Sequence, residues 1–158
     1  MIISRYPDKI LRQTCNPVTV FDDILEMMIE EMSTLMYASN GVGLAAPQIG
    51  SSEAYFIMDA GKFRSCVNPK IVELSKDLED SEEGCLSLPD VKGTVKRHKN
   101  ITVEYQSIKG ELIREHLEGL EAVVFQHEFD HIIGKLFVDR LSPLKRKLLL
   151  KDYEKARG

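Results

Sequence analysis

The stretch Gln126-His127-Glu128-Phe129-Asp130-His131 constrains this chain more than any other. Leu120, Val123 and Val124 precede it at helical spacing, which predicts a helix over about Leu120–Ile133 with Gly134 as its stop. Residues four apart lie on one helical face, one turn above each other. His127 and His131 therefore point the same way and can grip one metal ion. Glu128 adjoins a ligand, so its carboxylate can reach a water on that metal and act as general base.

A catalytic metal site of this kind needs three protein ligands and one open position. In one class of metalloprotease a third His follows the glycine; Phe137 stands there and cannot bind metal. In another class a carboxylate lies about twenty residues downstream, where only Asp152 and Glu154 are available. The better candidate is upstream: Cys85, in Glu82-Glu83-Gly84-Cys85-Leu86-Ser87-Leu88-Pro89. A thiolate is a strong ligand for zinc or iron.

Three segments resemble, in order and spacing, the signature motifs of the peptide deformylases. They are Gly41-Val42-Gly43-Leu44-Ala45-Ala46-Pro47-Gln48, Glu83-Gly84-Cys85-Leu86-Ser87, and the His-Glu-x-x-His stretch. The likeness extends over nearly the whole chain. It implies hydrolysis of the formyl group from N-formylmethionyl nascent peptides, with a metal-bound water as nucleophile. Cys85, His127 and His131 would hold the metal, and Glu128 would be the base. The Gln48 amide and the Leu86 N–H would receive the developing oxyanion. Val42, Leu120, Val123 and Val124 would line the methionine slot, with Gly43 and Gly84 meeting the peptide backbone. Glu83 is the expected partner of a ligating His, and Arg97 is expected to pair with Asp130. The implied ion is Fe2+, with Zn2+, Ni2+ or Co2+ able to substitute. Two positions depart from the pattern: Lys96 where many relatives carry Pro, and Ser81 where some carry a bulky apolar residue.

The competing enzyme is a zinc metallopeptidase using the same His pair with Asp152 or Glu154. A metal-stabilised binding module is disfavoured, because Glu128 and Gln48 are both present and a structural site tends to be closed by four protein ligands.

The remaining chain predicts an α+β fold: antiparallel sheets packed around a central metal-binding helix, with an N-terminal and a C-terminal helix. The 158 residues suit one domain spanning 1–158. A helical turn is expected at Asp8–Arg12, and a helix from about Asp22 to Ala38, where Leu25, Ile29, Met32 and Met36 keep period. Gly41–Gly50 reads as a glycine-bearing loop and Ala54–Met58 as a buried strand. Cys66–Asn68 and Ile71–Leu74 read as short strands around Pro69, and Lys76–Glu83 as a solvated turn. Ile101–Tyr105 and Leu112–Leu117 read as a hairpin. Cys15 and Cys66 read as small buried hydrophobes, and His98 and His116 as structural or solvent-facing.

Three cysteines at irregular spacing argue against a disulfide framework and for a reducing compartment, cytoplasmic or organellar after removal of a transit peptide. No stretch is long enough to span a membrane. The net charge of −4 offers no general attraction to DNA. That average hides a contrast: residues 143–158 hold six Lys or Arg against two acids, so net +4, leaving −8 on the rest. Ser142-Pro143 opens this last helix as cap and first position. Lys147, Lys151 and Lys155 form a stripe suited to ribosomal RNA, and Leu144 and Leu148 are expected to pin the helix to the domain.

Overall fold

The computed structural model describes residues 1–157. Helix α1 (Asp23–Ala38) forms where the apolar period places it, with the Asp22 side chain accepting from the Leu25 N–H at 3.1 Å. Beyond it come β1 (Gly43–Ala45), β2 (Tyr55–Asp59), β3 (Phe63–Leu74), β4 (Leu78–Cys85), β5 (Leu88–His98), β6 (Asn100–Gln106) and β7 (Leu112–Glu118). Helix α2 (Gly119–Ile132) carries the motif, and α3 (Pro143–Arg157) follows. Short 3-10 turns occupy Lys9–Arg12, Ala46–Ile49 and Phe137–Arg140.

The named strands all pair antiparallel, in a five-stranded sheet of order β1-β2-β3-β6-β7 and a separate β4-β5 pair. The larger sheet is covered on both faces, and β2 shows why. Side chains alternate across a strand. Tyr55 and Ile57 join the cluster under α1 with Met32 and Met36, while Phe56 and Met58 join the cluster under α2 with Val124 and Phe125. The Phe56 and Phe125 rings meet edge-on at 5.0 Å. A third cluster packs Leu88 and Val95 of β5 against Phe137, Leu149 and Tyr153. The α+β expectation, with sheets around the motif helix, matches this architecture.

Four local expectations need correction. The 41–50 loop contains β1 and a 3-10 turn. The two strands proposed around Pro69 are one strand, β3, whose register shifts at Val67/Lys70 and Ile71/Glu73 absorb the proline. Lys76–Glu83 is largely strand β4 rather than a solvated turn. Its charged positions at Asp80 and Glu82 face water, while Glu83 turns inward to a buried partner. Leu144 and Leu148 do not pin α3, being 68% and 54% exposed; Leu149 and Tyr153 are buried in their place. The helix turns its other face to the domain, and the Tyr153 hydroxyl donates to the Tyr6 carbonyl at 2.9 Å.

Gly134 ends the motif helix at φ +78, and a Cβ there would lie 2.5 Å from the Arg12 carbonyl oxygen. Gly50 has φ +84 but open space around it. Gly50→Ala should cost only left-handed backbone strain, about 1–2 kcal/mol. Gly134→Ala should cost distinctly more, since the N-terminal segment must also move. Urea unfolding midpoints of both variants test this; equal losses would show that the Arg12 contact carries no energy.

Candidate metal centre

Cys85 comes from the end of β4 and the two histidines from α2. Their Sγ and imidazole nitrogens lie within 4.8 Å of one another. Sγ of Cys85 is 3.6 Å from Nε2 of His131. Neither Asp152 nor Glu154 joins this group, and both are exposed on α3. The downstream-carboxylate alternative therefore has no support.

The donor set fits a metal. One sulfur and two imidazoles suit zinc, iron, nickel or cobalt rather than magnesium or calcium. Burial pushes the His131 imidazole well below its ordinary value, which keeps it in the neutral form that ligates. Burial would lower His127 too, but Cys85, Glu83 and Glu128 outweigh it and push that group well up. An ion bound there must displace that proton, so ligation at His127 releases it. Three protein donors leave a position open.

The histidines are aimed by their surroundings. His127 Nδ1 lies 2.9 Å from Glu83 Oε1, which fixes the ring and leaves Nε2 for the metal. Phe137, unable to ligate, stacks on the His127 ring at 6.2 Å. Glu83 receives two bonds from Arg97, at 2.8 and 2.7 Å. Burial would raise the Glu83 carboxyl, but Arg97 and His127 overcome it and hold it at about 2. Arg97 also donates to Asp130 at 2.8 Å, and Asp130 accepts two further bonds from Arg140. The chain His127–Glu83–Arg97–Asp130–Arg140 thus alternates in charge from its carboxylate onward. Arg97, Glu83 and Asp130 are all buried, so the Arg97–Asp130 pair is an interior contact.

Glu128 faces the same cavity as Gln48, Cys85 and His127, a cleft of about 880 Å³. Its Oε2 is 4.0 Å from His127 Nε2, and its Oε1 is buried without a hydrogen-bond partner. Burial pushes this carboxyl up to about 7, aided by Glu83 and opposed by His127. A neighbouring cation pulls such a value back down. Gly43 lets the carboxylate sit where it does, because a Cβ there would collide with it. The Gln48 amide is buried; its Oε1 accepts from the Ala45 N–H at 2.9 Å, and its Nε2 donates to Ser87 Oγ at 3.1 Å and faces Cys85 Sγ at 3.5 Å. Val42, Leu86, Leu120, Val123 and Val124 make the apolar wall of the cleft, with Gly84 at its rim.

Three supporting residues went unnoticed in the sequence. Gln126 bonds both the N–H and the carbonyl of His98, at 3.0 and 2.9 Å, and so staples α2 to the end of β5. Ser87 anchors the Gln48 amide. Arg140 completes the ion chain from a 3-10 turn. Gln126 and Ser87 sit inside recognisable motifs, which could have drawn attention to them; Arg140 carries no such signal.

Comparison with known proteins agrees with this geometry. The family model for polypeptide deformylase matches residues 1–147. A peptide deformylase of Thermotoga petrophila is 51% identical over 147 residues, covering 92% of this chain and 90% of the relative. The crystal structure of peptide deformylase from Thermotoga maritima superposes with a TM-score of 0.87 at 47% identity, covering 89% of this chain and 97% of that one. A peptide deformylase structure from Legionella pneumophila gives 0.92 at 42% identity, covering 98% and 94%. A match this long, at this identity, leaves one conclusion: the chain belongs to the polypeptide deformylase family.

Proposed function

We infer that this metal-dependent amide hydrolase removes the N-formyl group from the terminal formylmethionine of newly made polypeptides, releasing formate and a free amine. The observation that carries the reading is the unpartnered, buried Glu128 carboxylate beside the Cys85, His127 and His131 donors, in one cleft. When bound by those three residues, the ion supplies Lewis acidity that activates water and polarises the formyl carbonyl.

Glu128 takes a proton from the attacking water and returns it to the departing amine as the C–N bond breaks. One Gln48 amide hydrogen is engaged by Ser87. The other points toward Cys85, where a substrate oxygen beside the ligands would accept it, together with the Leu86 N–H. Val42, Leu120, Val123 and Val124 receive the methionine side chain. Gly43 and Gly84 flank an extended peptide. Glu83 orients His127, while Arg97 and Asp130 hold Glu83 and the helix in register. The family resemblance favours ferrous iron, with zinc, nickel or cobalt as substitutes. The substrate points to the compartments where formylated chains are made, the bacterial cytoplasm or an organelle. Among the described residues no helix is long and apolar enough to cross a membrane.

A docking partner is proposed for α3. Its buried residues Leu149 and Tyr153 turn Lys147, Lys151 and Lys155 outward. That stripe suits the phosphates of ribosomal RNA near the point where formylated chains emerge.

Three measurements follow. Glu128→Gln keeps size and removes the base, so metal content should persist while turnover of formyl-Met-Ala-Ser falls roughly 10²–10⁴-fold; near-normal turnover with bound metal would sink the assigned role. If Cys85 holds ferrous iron at an open position, activity should decay faster in air for the iron form than for the nickel form, because thiolates oxidise up to sulfinic acid; equal decay counts against iron-centred loss. Reversing the charge at Lys147, Lys151 and Lys155 should weaken co-sedimentation with ribosomes, and the wild-type association should fall steeply with salt. Truncation is a poorer test, since cutting before Tyr153 opens the third cluster. Unchanged co-sedimentation of the charge-reversed protein would remove α3 as the dock.

A further inference from the structure

The cleft shares part of its lining with a second hollow. Asp90, Val91 and Lys92 of β5 line the cleft, and the same three residues line this hollow of about 570 Å³ between β5 and α3. We propose that this second groove is a subsite for the downstream part of the substrate polypeptide, reached across Asp90–Lys92. The proposal rests on the deformylase reading of the cleft.

The groove has the chemistry for a polypeptide of any sequence. Its lining joins apolar Val91, Leu141, Leu148 and Leu149 to a comparable share of polar groups. Gly93 lies beneath, and a Cβ there would sit 3.2 Å from both Leu141 and Leu149, so the helix is seated tightly on the strand. Along one side runs β5, which among the described residues pairs only with β4, so no strand occupies its other edge beside the groove and a peptide could add there. At the rim Lys92 and Lys145 are balanced by Asp90 and Asp152. No net charge is offered, so neither acidic nor basic chains are selected. Main-chain bonds and apolar contact give affinity without sequence preference, as an enzyme meeting many different nascent chains requires.

Leu148 gains its purpose in this arrangement. It is 54% exposed, while its neighbour Leu149 takes the buried position. A peptide in the groove would cover it. Such contacts are made alike in ground and transition states, so they lower KM and leave kcat unchanged.

The test compares formyl-Met-Ala-Ser with a ten-residue formyl-Met peptide, which spans roughly 30 Å when extended. Wild-type holoenzyme should show a kcat/KM roughly three- to tenfold higher for the long peptide, the scale of covering an exposed leucine. Leu148→Glu should abolish that gain. Leu144→Glu, on the same helix but outside the groove, should keep it. Anisotropy of a fluorescent ten-residue peptide reads the groove without turnover, and Leu148→Glu should weaken that binding by a similar factor. Absence of a length effect in the wild type, or an equal effect in Leu148→Glu, would overturn the groove while leaving the deformylase reading intact. Loss of short-peptide hydrolysis in the wild type would instead strike that reading, with the anisotropy comparison still deciding the groove.

Discussion

Arg97 is the residue on which the site depends. It lies on β5, reaches Glu83 on β4 and Asp130 on α2, and is buried with both. A buried ion pays a large desolvation penalty, recovered only with good geometry and full hydrogen bonding. Here both carboxylates are met, and Arg140 supplies what Asp130 still lacks. Losing one member would leave an unpaired interior charge, at a cost of about 3–5 kcal/mol. The arrangement therefore confers register more than raw stability: only one docking of the β4–β5 pair on α2 satisfies every charge.

That register matters because the ligands are split between the two parts. Cys85 travels with β4, and His127 and His131 travel with α2. A slip of one residue in β4 would send Glu83 to the opposite face. The same Glu83 oxygen, Oε1, accepts from Arg97 and meets His127 Nδ1, so it also orients that ring. One ion chain thus sets both the position of the hairpin and the direction of a ligand. A metal held across this junction stabilises the docked state, because it binds the assembled site and not its separated parts.

Local pattern made the helices legible. α1 and α2 follow apolar periods, and the hairpin of β6 and β7 follows strand alternation around Ser107–Gly110. Cys85 and the two histidines were legible from residue type and from the four-residue spacing of the pair. The β4–β5 pair was not. Most of its exposed positions are charged, and its inward Glu83 and Arg97 satisfy each other, so hydropathy gives a weak strand signal. Complementarity between residues fourteen apart is invisible to any local period. The same holds for Arg140. At α3 the failure was of another kind: two apolar pairs share four-residue spacing, Leu144/Leu148 and Leu149/Tyr153 on adjacent faces, and only tertiary packing chooses between them.

The two ends of the chain also converge on the reaction elements. The Ser4 N–H bonds the Gln48 carbonyl at 2.6 Å, and the Tyr6 N–H bonds the Ser87 carbonyl at 2.9 Å. The Tyr6 carbonyl in turn accepts from Tyr153 and Arg157 of α3, at 2.9 and 2.7 Å. So the N-terminal segment spans the two loops that carry Gln48 and Ser87, and α3 holds that segment down. Gln48 and Ser87 are themselves joined side chain to side chain. Preorganised donors are effective only when they need not reorganise as charge develops. A short segment with no secondary structure of its own supplies that rigidity by bonding both loops at once. The long motif helix aims the two histidines of the candidate metal site, and the chain ends fix the Gln48 amide that faces Cys85.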